Sequence, residues 1–357
     1  MEYHFSTREK NGSICLILSY KINRKWRQKT RQGFKTKREA RAAQDELLKA
    51  ARREAKSGTN PELANITLAD FAHHIFLRDK RNTIEYGTVH NYLRALKHFD
   101  APAGKPIKDI TEGDIINAYN AMDGTLSVAT ANQMLSKITA VLNYAVRPYK
   151  IRPDNPALMV KKKRDKRPRK VKAFTREEAE TLINSMNKPL YKIAVLIALN
   201  TGMRISEIAG LTWEDVDFFH QTITVNKQWN FRQDGSVGFK PPKSKNSTRT
   251  LHLTASLAKA LKEWKAANPH SIDGRIFPDL KKAHSSINNA IGRFKPGFSF
   301  HALRHTFATL LLSETQDINL VAAVLGDNPA TVIATYVHYT QDIRKKANQY
   351  IDKLFGG

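Results

Sequence analysis

Tyr191 to Glu207 reads YKIAVLIALNTGMRISE. Its first ten residues are apolar nearly all round, which predicts a helix at the centre of a hydrophobic core. A Thr-Gly turn follows, so we expect Arg204 to be held at a fixed place where the next helix starts. Glu207 lies three residues further on, on the same helical face, and its carboxylate can brace the guanidinium. An isolated pattern of this kind is more often an ordinary exposed salt bridge.

Three later segments carry side chains that can work together with this arginine. They are the polar hairpin tip KSK with Lys245, the segment HALR with His301 and Arg304, and the segment ATYVHY with Tyr336. His301 and Arg304 are three residues apart, so they share one face of a predicted helix. Residues 222–225 and 249–253 are the strands that we predict on either side of the hairpin. Taken singly, a solvated lysine, a surface pair and a half-buried tyrosine explain these segments equally well.

Taken together, the four segments can perform one reaction on a phosphodiester. Two arginines and a histidine can cradle the phosphate and stabilise the charge of a pentavalent transition state. A tyrosine hydroxyl can attack phosphorus and form a covalent phosphotyrosine, while a lysine protonates the departing sugar oxygen. Since that bond conserves the energy of the broken linkage, rejoining needs no ATP. The sequence contains no Walker loop, GxGxxG, HExxH or DxDxDG pattern, so we predict neither a cofactor nor a metal.

These segments resemble the tyrosine recombinases, specifically the phage-type, lambda-integrase-like site-specific integrases. The resemblance covers essentially the whole chain and is most specific from about Ala173 onward. It implies the following catalytic set: Arg204 in TGMRISEIAGLTWEDVD with Glu207 as its acidic support, Lys245 in KPPKSKNSTRTLHL with Lys243 as the weaker candidate, His301 and Arg304 in HALRHTFATLLL, and Tyr336 in ATYVHY with Tyr339 as the lesser alternative.

The chain departs from the family pattern at one position. The family usually has LGH nine residues before the tyrosine, and some members have tryptophan there, whereas this chain reads Leu325-Gly326-Asp327. An ionised aspartate cannot donate a hydrogen bond, and its charge opposes that of a phosphate. Three interpretations of Asp327 are open: it is protonated, it is turned away, or Asn328 takes over its role.

The composition points to a nucleic acid as the partner. The chain has 357 residues, enough for two to three domains, and 59 Lys plus Arg against 33 Asp plus Glu give a net charge of +26. Phosphate contacts release counterions and so drive the association of such a protein with DNA. One cysteine excludes a disulfide framework, and the apolar stretches are too short to cross a bilayer. We therefore predict a cytoplasmic protein that does not bind a membrane.

Composition shifts divide the chain into five segments. The resemblance implies that these are an arm-type DNA-binding domain at 1–56, a linker at 57–65, a helical core-binding domain at 66–150, a basic interdomain linker at 151–172, and a catalytic domain with its C-terminal tail at 173–357. The predicted fold class is multidomain and mainly α with small β elements: an N-terminal three-stranded sheet plus helix, the helical domain, and a mixed α/β, mostly helical catalytic domain. The candidate DNA contacts are the basic residues of the N-terminal hairpin and the second linker: Arg24, Lys25, Arg27, Lys29, Arg31, Lys161, Lys162, Lys163 and Arg164.

The resemblance also implies partners. These are double-stranded DNA with core-type and arm-type attachment sites, a homotetramer on two duplexes, an excisionase and a host DNA-bending protein. Two alternatives stay open: a noncatalytic DNA-binding regulator that retains the fold, and a type IB topoisomerase-like or telomere-resolvase strand transferase. The extra basic domain at the N-terminus favours an integrase over both.

Overall fold

A computed structural model of the chain describes residues 2–10, 12–22, 25–57, 60–165, 172–242, 247–268, 271–336 and 352–353. The chain forms two compact units, residues 1–166 and residues 167–357. Helices predominate and the sheets are small, so the predicted fold class is confirmed. Over the described residues, no single helix has the length and apolar character to span a membrane. The two helices at residues 318–325 and 329–335 have that length and apolar character only when taken together, and the angle between them is 108°.

The first unit opens with an antiparallel sheet backed by helices. The strands are β1 (Tyr3–Lys10), β2 (Ser13–Ile22) and β3 (Lys25–Phe34), in the order β1-β2-β3, and the helices are α1 (Lys37–Ala42) and α2 (Gln44–Ser57). Leu18 and Tyr20 of β2 are buried against Leu48 and Ala51 of α2, as alternation along a half-buried strand requires. The predicted N-terminal sheet is confirmed, whereas the one helix expected beside it is interrupted at residue 43.

The remainder of this unit is helical. Its elements are α3 (Leu68–Phe71), a π-helical turn (Ala72–Phe76), α4 (Leu77–Lys80), α5 (Tyr86–His98), α6 (Asp100–Ala103), α7 (Glu112–Asn120) and α8 (Val128–Val146), with 3-10 turns at Pro61–Leu63 and Ile107–Asp109. Thr111 and Asp114 form a capping box at the start of α7, and Ser127 caps α8 by accepting from the backbone N–H of Thr130. The apolar stripe of α8 lies in the core of this helical part.

The start of the predicted interdomain linker belongs to this helical core. Ile151 and Ala157 are buried in it. The side-chain amide of Asn155 donates to the Thr139 carbonyl at 3.0 Å and to Oδ1 of Asn143 at 2.7 Å, so the turn is fixed to α8. Proline-rich composition predicted a linker from residue 151, but these buried side chains make residues 151–157 part of the fold. The other boundaries inside residues 1–166 stay a prediction.

The second unit surrounds one apolar helix. Its helices are α9 (Arg176–Ser185), α10 (Pro189–Thr201), α11 (Ile205–Ala209), α12 (Ala255–Ala267), α13 (Leu280–Phe294), α14 (Phe300–Thr315), α15 (Ile318–Leu325) and α16 (Pro329–Tyr336), with a 3-10 turn at Trp213–Asp215. As predicted, α10 is central: it packs against α9, α11, α12, α13 and α14. Its side chains at 193–195, 197 and 198 are buried.

Two small sheets complete the second unit. The strands β4 (Val216–Asp217), β5 (Thr222–Val225) and β8 (Arg249–His252) pair antiparallel in the order β4-β5-β8. The predicted strands on either side of the hairpin are thus present. Between them, β6 (Gln228–Phe231) and β7 (Val237–Lys240) form a separate ribbon. Its Trp229 packs edge-on against Phe239, and the guanidinium of Arg275 lies 3.5 Å from the centre of the Trp229 ring.

Candidate active site

Two guanidinium groups from distant parts of the chain meet on one carboxylate. Nη2 of Arg204 lies 2.5 Å from Oδ1 of Asp327, and Nη2 of Arg304 lies 2.6 Å from Oδ2 of the same side chain. Arg204 precedes α11, Arg304 lies in the first half of α14, and Asp327 follows α15. The structure therefore brings three of the predicted site residues together at a point where a single anion can bind both arginines.

A glycine determines where Arg204 lies. Gly202 ends α10 with φ of +65°, and a Cβ there would lie 2.6 Å from the Phe307 ring and 2.7 Å from Leu325. Only glycine accommodates both the backbone conformation and the contact. Arg204 is then the N-cap residue of α11, and Glu207 accepts from its backbone N–H at 2.9 Å and from its Nη1 at 2.8 Å. Because Glu207 is only 4% exposed, this pair is not an ordinary surface salt bridge.

Arg304 is held by the ends of two helices. Its side chain is buried, Nη1 donates to the carbonyl of Gly202 at 2.8 Å, and Nη2 donates to the carbonyl of Leu325 at 2.9 Å. Both carbonyls lie at helix C-termini, where backbone acceptors lack partners and the helix dipole favours a cation. Arg304 thus joins α14 to the ends of α10 and α15, and it is not the surface residue that an isolated HxxR pattern suggests.

A buried arginine that the sequence analysis missed supports the site from behind. Nη2 of Arg249, on β8, lies 2.9 Å from Oε2 of Glu207, and both side chains are almost fully buried. Its Nε donates to the carbonyl of Val324 at 2.7 Å, and its Nη1 donates to the carbonyl of Ser247 at 3.0 Å. Arg249 shares its strand face with the buried Leu251, two residues on, and a cation at such a position needs a buried partner. That alternation was the signal available in the sequence.

Both carboxylates of the site are ionised. Burial by itself raises the pKa of Glu207, but Arg249 and Arg204 outweigh this effect and hold the pKa below its ordinary value. Burial likewise opposes ionisation of Asp327, yet Arg304 and Arg204 keep the pKa of that carboxyl below its usual range. The Asp327 carboxylate faces the two arginines rather than turning away from them. Asn328 caps α16 by accepting from the backbone N–H of Ala330 at 2.9 Å. The part that either residue plays in a reaction stays a prediction.

Two histidines of α14, His301 and His305, lie beside the pair of arginines. The rings of His301 and His305 are 4.6 Å apart and nearly perpendicular. Partial desolvation, followed by the charges of Arg304 and Arg204, lowers the pKa of His301. Desolvation and the neighbouring His301 lower the pKa of His305 to about 4. Both rings are therefore neutral near pH 7, and each can donate one hydrogen bond and accept one.

The remaining catalytic candidates are described only in part. Tyr336 is the last residue of α16, and its side chain lies outside the described residues. Lys243, Lys245 and Tyr339 also lie outside them. Their predicted roles stay predictions. Among the described residues, no group of three His, Cys, Asp or Glu side chains can hold a metal ion.

Three candidate DNA contacts of the N-terminal sheet, Arg27, Lys29 and Arg31, lie on the face that α2 covers. Arg27 pairs with Tyr20 and Lys29 with Leu18, so both share the face that α2 packs against, and both are half-buried. Arg31 is on the same face and contacts Glu46 at 2.5 Å. Arg24 and the side chain of Lys25 lie outside the described residues.

Of the helices in the described part of the chain, none packs against the opposite, free face of this sheet, which carries different residues. Trp26 is 54% exposed there. The centre of its ring lies 5.5 Å from the centre of the His4 ring and 5.8 Å from Nζ of Lys21. Arg8 is exposed on the same face, because it pairs with Cys15 rather than with a helix-facing residue of β2. The sequence analysis did not single out Arg8 or Trp26.

The basic linker candidates differ from one another in a similar way. Lys161, Lys162 and Arg164 are exposed. Lys163 instead donates to Oδ1 of Asp123 at 2.6 Å and lies over the Tyr119 ring, 4.4 Å from its centre. Lys163 is therefore attached to the helical core.

Paired arginines around one anion position, with a neutral histidine beside them, form a site where a phosphate group can bind. Comparison with known proteins gives its family. Residues 172–342 match the phage integrase family, and residues 8–51 match an arm DNA-binding domain. The chain belongs to the phage-type tyrosine recombinases and is a site-specific recombinase.

Proteins similar to this chain are named as tyrosine recombinases or integrases. A XerC-like tyrosine recombinase of Caldanaerobacter subterraneus subsp. tengcongensis is 26% identical and aligns over 90% of each chain. The integrase of Salmonella phage P22 is 27% identical over 91% of this chain and 89% of that protein. The Tn1549 transposon integrase in complex with transposon right-end DNA has a TM-score of 0.65 at 20% identity, over 81% of this chain and 99% of that one. A lambda integrase dimer bound to a core site has a TM-score of 0.58 at 17% identity, over 92% of this chain and 93% of that one. These structural similarities show that the fold is shared.

We expect Arg249→Met to destabilise the second unit strongly. It leaves the buried Glu207 with one cation fewer and removes the hydrogen bonds from Arg249 to the carbonyls of Val324 and Ser247, and breaking a buried pair in this way costs about 3–5 kcal/mol. Urea denaturation gives the free energy of unfolding. Arg176→Met is the control, since its 3.5 Å pair with Glu314 is exposed and its loss has little effect. Equal stability of the two variants would contradict the role of Arg249.

We expect the protein to lose stability as the pH falls from about 6.5 towards 4. The folded pKa of His305 lies below the ordinary value of 6.5, so the neutral ring favours the folded state above 6.5 and this contribution is lost as the ring becomes protonated. His305→Asn should flatten the dependence of Tm on pH between 7 and 4.5. Part of the pH dependence of Tm should remain in this variant, because the pKa values of His301 and His284 are also lowered. An unchanged profile in the variant would contradict this explanation.

Proposed function

We propose that this recombinase cleaves and rejoins DNA through a covalent 3′-phosphotyrosine at Tyr336, and so integrates and excises a mobile element such as a phage or a conjugative transposon. The observation that supports this proposal best is the convergence of Arg204 and Arg304 on one anion position. The P22 and transposon integrases among the relatives and structural neighbours support the choice of element.

The chemistry assigns one role to each group. The Tyr336 hydroxyl releases its proton to solvent, and its oxygen forms a bond to the scissile phosphorus while the bond to the 5′ oxygen of the next nucleotide breaks. Lys245, with Lys243 as the alternative, gives the departing oxygen a proton. Arg204 and Arg304 stabilise the charge of the pentavalent transition state through hydrogen bonds to the nonbridging oxygens. The neutral His301 donates a further hydrogen bond. Reversal of the same step by a different 5′ hydroxyl joins the new strands.

The proposed partners follow from the domain arrangement. We propose that the second unit and the helical domain bind core-type sites, and that the N-terminal sheet binds arm-type sites. A lambda integrase tetramer has been solved on a Holliday junction, with a TM-score of 0.56 to this chain. We propose a homotetramer on two duplexes for this recombinase as well, assisted by an excisionase and a host DNA-bending protein. We propose that it acts in the cytoplasm.

One observation favours a second candidate function. Asp327 occupies the anion position between the arginines, which is what a noncatalytic DNA-binding regulator with this fold would tolerate. The full set of catalytic residue types argues against it, and the match of residues 8–51 to an arm DNA-binding domain argues against a topoisomerase.

We expect Tyr336→Phe to abolish covalent attachment to DNA while leaving binding intact, because the phenyl ring lacks the attacking oxygen. Purified protein is mixed with a nicked duplex that carries the junction of the element, and the adduct is measured on a denaturing gel. Tyr339→Phe is the matched control and should form the adduct as the wild type does. If Tyr336→Phe still forms it and Tyr339→Phe does not, the nucleophile is Tyr339. If the wild type forms none, the noncatalytic alternative holds.

We expect Arg8→Gln to weaken binding to arm-type DNA and Lys29→Gln to leave it nearly unchanged. Each variant removes one positive charge from the sheet, but Arg8 lies on the free face and Lys29 on the face covered by α2. The slope of log affinity against log salt should decrease by about one for Arg8→Gln, as for the loss of one phosphate contact. Equal effects of the two variants would show that DNA binds elsewhere or that only overall charge matters.

A further inference from the structure

We propose that Asp327 is a positioning residue that holds Arg204 and Arg304 in the unbound protein and is exchanged for the scissile phosphate when DNA binds. The inference rests on the proposed function, since it requires that both arginines receive that phosphate. It gives Asp327 a role of its own at a position where the family pattern has a hydrogen-bond donor.

The contacts of Asp327 are those that a phosphate would make. Each of its carboxylate oxygens accepts from a different guanidinium, at 2.5 Å from Arg204 and at 2.6 Å from Arg304. Guanidinium groups bind carboxylates and phosphates with the same planar, charge-assisted geometry. Asp327 therefore occupies the position between the two arginines as a carboxylate substitute for the DNA anion.

The unbound protein needs such a substitute. Two guanidinium groups on one anion repel each other, and in a partly buried site this repulsion is stronger than in water. Burial and then the charge of Arg204 lower the pKa of Arg304, which shows this repulsion, although the group stays protonated. Asp327 offsets the repulsion and fixes the spacing of the two groups before DNA arrives.

The exchange requires only a rotation of one side chain. The backbone N–H of Asp327 donates to the carbonyl of Ala322 at 3.0 Å, and Gly326 ends α15 with φ of +66°, so the backbone is fixed. The Asp327 side chain is 21% exposed and can turn towards solvent. After it leaves, Arg204 is still held by Glu207, and Arg304 is still held by the carbonyls of Gly202 and Leu325. Carboxylate and phosphate cannot stay together, because like charges at this distance repel.

Asp327→Asn tests the exchange, because the amide has the same shape and no charge. The wild type, Asp327→Asn and the control Asp317→Asn are titrated with inorganic phosphate at constant ionic strength, and Tm is followed. Asp317 is an exposed N-cap residue of α15, and asparagine caps equally well. Without phosphate, we expect Asp327→Asn to have a lower Tm than the other two proteins. Its Tm should then rise at phosphate concentrations at least fivefold lower than theirs, which is the tighter response. Adding Arg204→Gln to Asp327→Asn should remove the tighter response.

This result does not depend on Tyr336 or on strand exchange, so it separates the exchange from the proposed function. A phosphate response of Asp327→Asn equal to that of the wild type, or a tighter one that survives Arg204→Gln, would overturn the proposal. Single-turnover cleavage of the nicked duplex gives a second measurement. Asp327→Asn should cleave at lower DNA concentrations than the wild type, with the maximal rate kept or raised. A folded variant that binds the duplex but no longer cleaves it would show that Asp327 acts directly in the reaction and is not merely exchanged.

Discussion

Two guanidinium groups must be held side by side against their mutual repulsion, and the structure of the second unit is arranged around this requirement. Arg304 is fixed by carbonyls at the ends of α10 and α15, and Arg204 is fixed by Glu207. Arg249 in turn holds Glu207 and the end of α15. The negative charge of the site is thus distributed between one permanent carboxylate behind Arg204 and one at the anion position. In the proposed reaction, a substrate phosphate meets donors that need little reorganisation, and such preorganised donors are the main source of transition-state stabilisation in sites of this kind.

Much of this arrangement could be predicted because it is encoded locally. The apolar run of α10, the Thr-Gly turn and the i, i+3 spacing of Arg204 and Glu207 fix the geometry within a few residues. The caps of α7 and α8 and the strand at residues 222–225 are local patterns of the same kind. The segments that resemble the family then gave the site residues, and the match of residues 172–342 confirms the family.

The rest depends on contacts between residues far apart in the sequence. Nothing near Arg249 indicates Glu207 as its partner, since the two side chains meet only when β8 lies beside α11. The burial of residues 151–157 arises from packing against α8, which proline-rich composition conceals. The covered and free faces of the N-terminal sheet follow from strand register, so a run of basic residues could not show that Arg27 and Lys29 lie on the covered face. For Asp327, the charge was clear from the sequence, but two arginine partners became evident only in three dimensions.

The central claim is that Arg204 and Arg304 together bind the phosphate that Tyr336 attacks. A crystal structure of the full-length Tyr336→Phe protein on a duplex containing its recombination site tests this claim most directly. Our account predicts the nonbridging oxygens of one phosphate within hydrogen-bonding distance of both guanidinium groups, with the ring of residue 336 opposite the departing 5′ oxygen. A scissile phosphate bound by other side chains, while the two arginines make no contact with DNA, would contradict it.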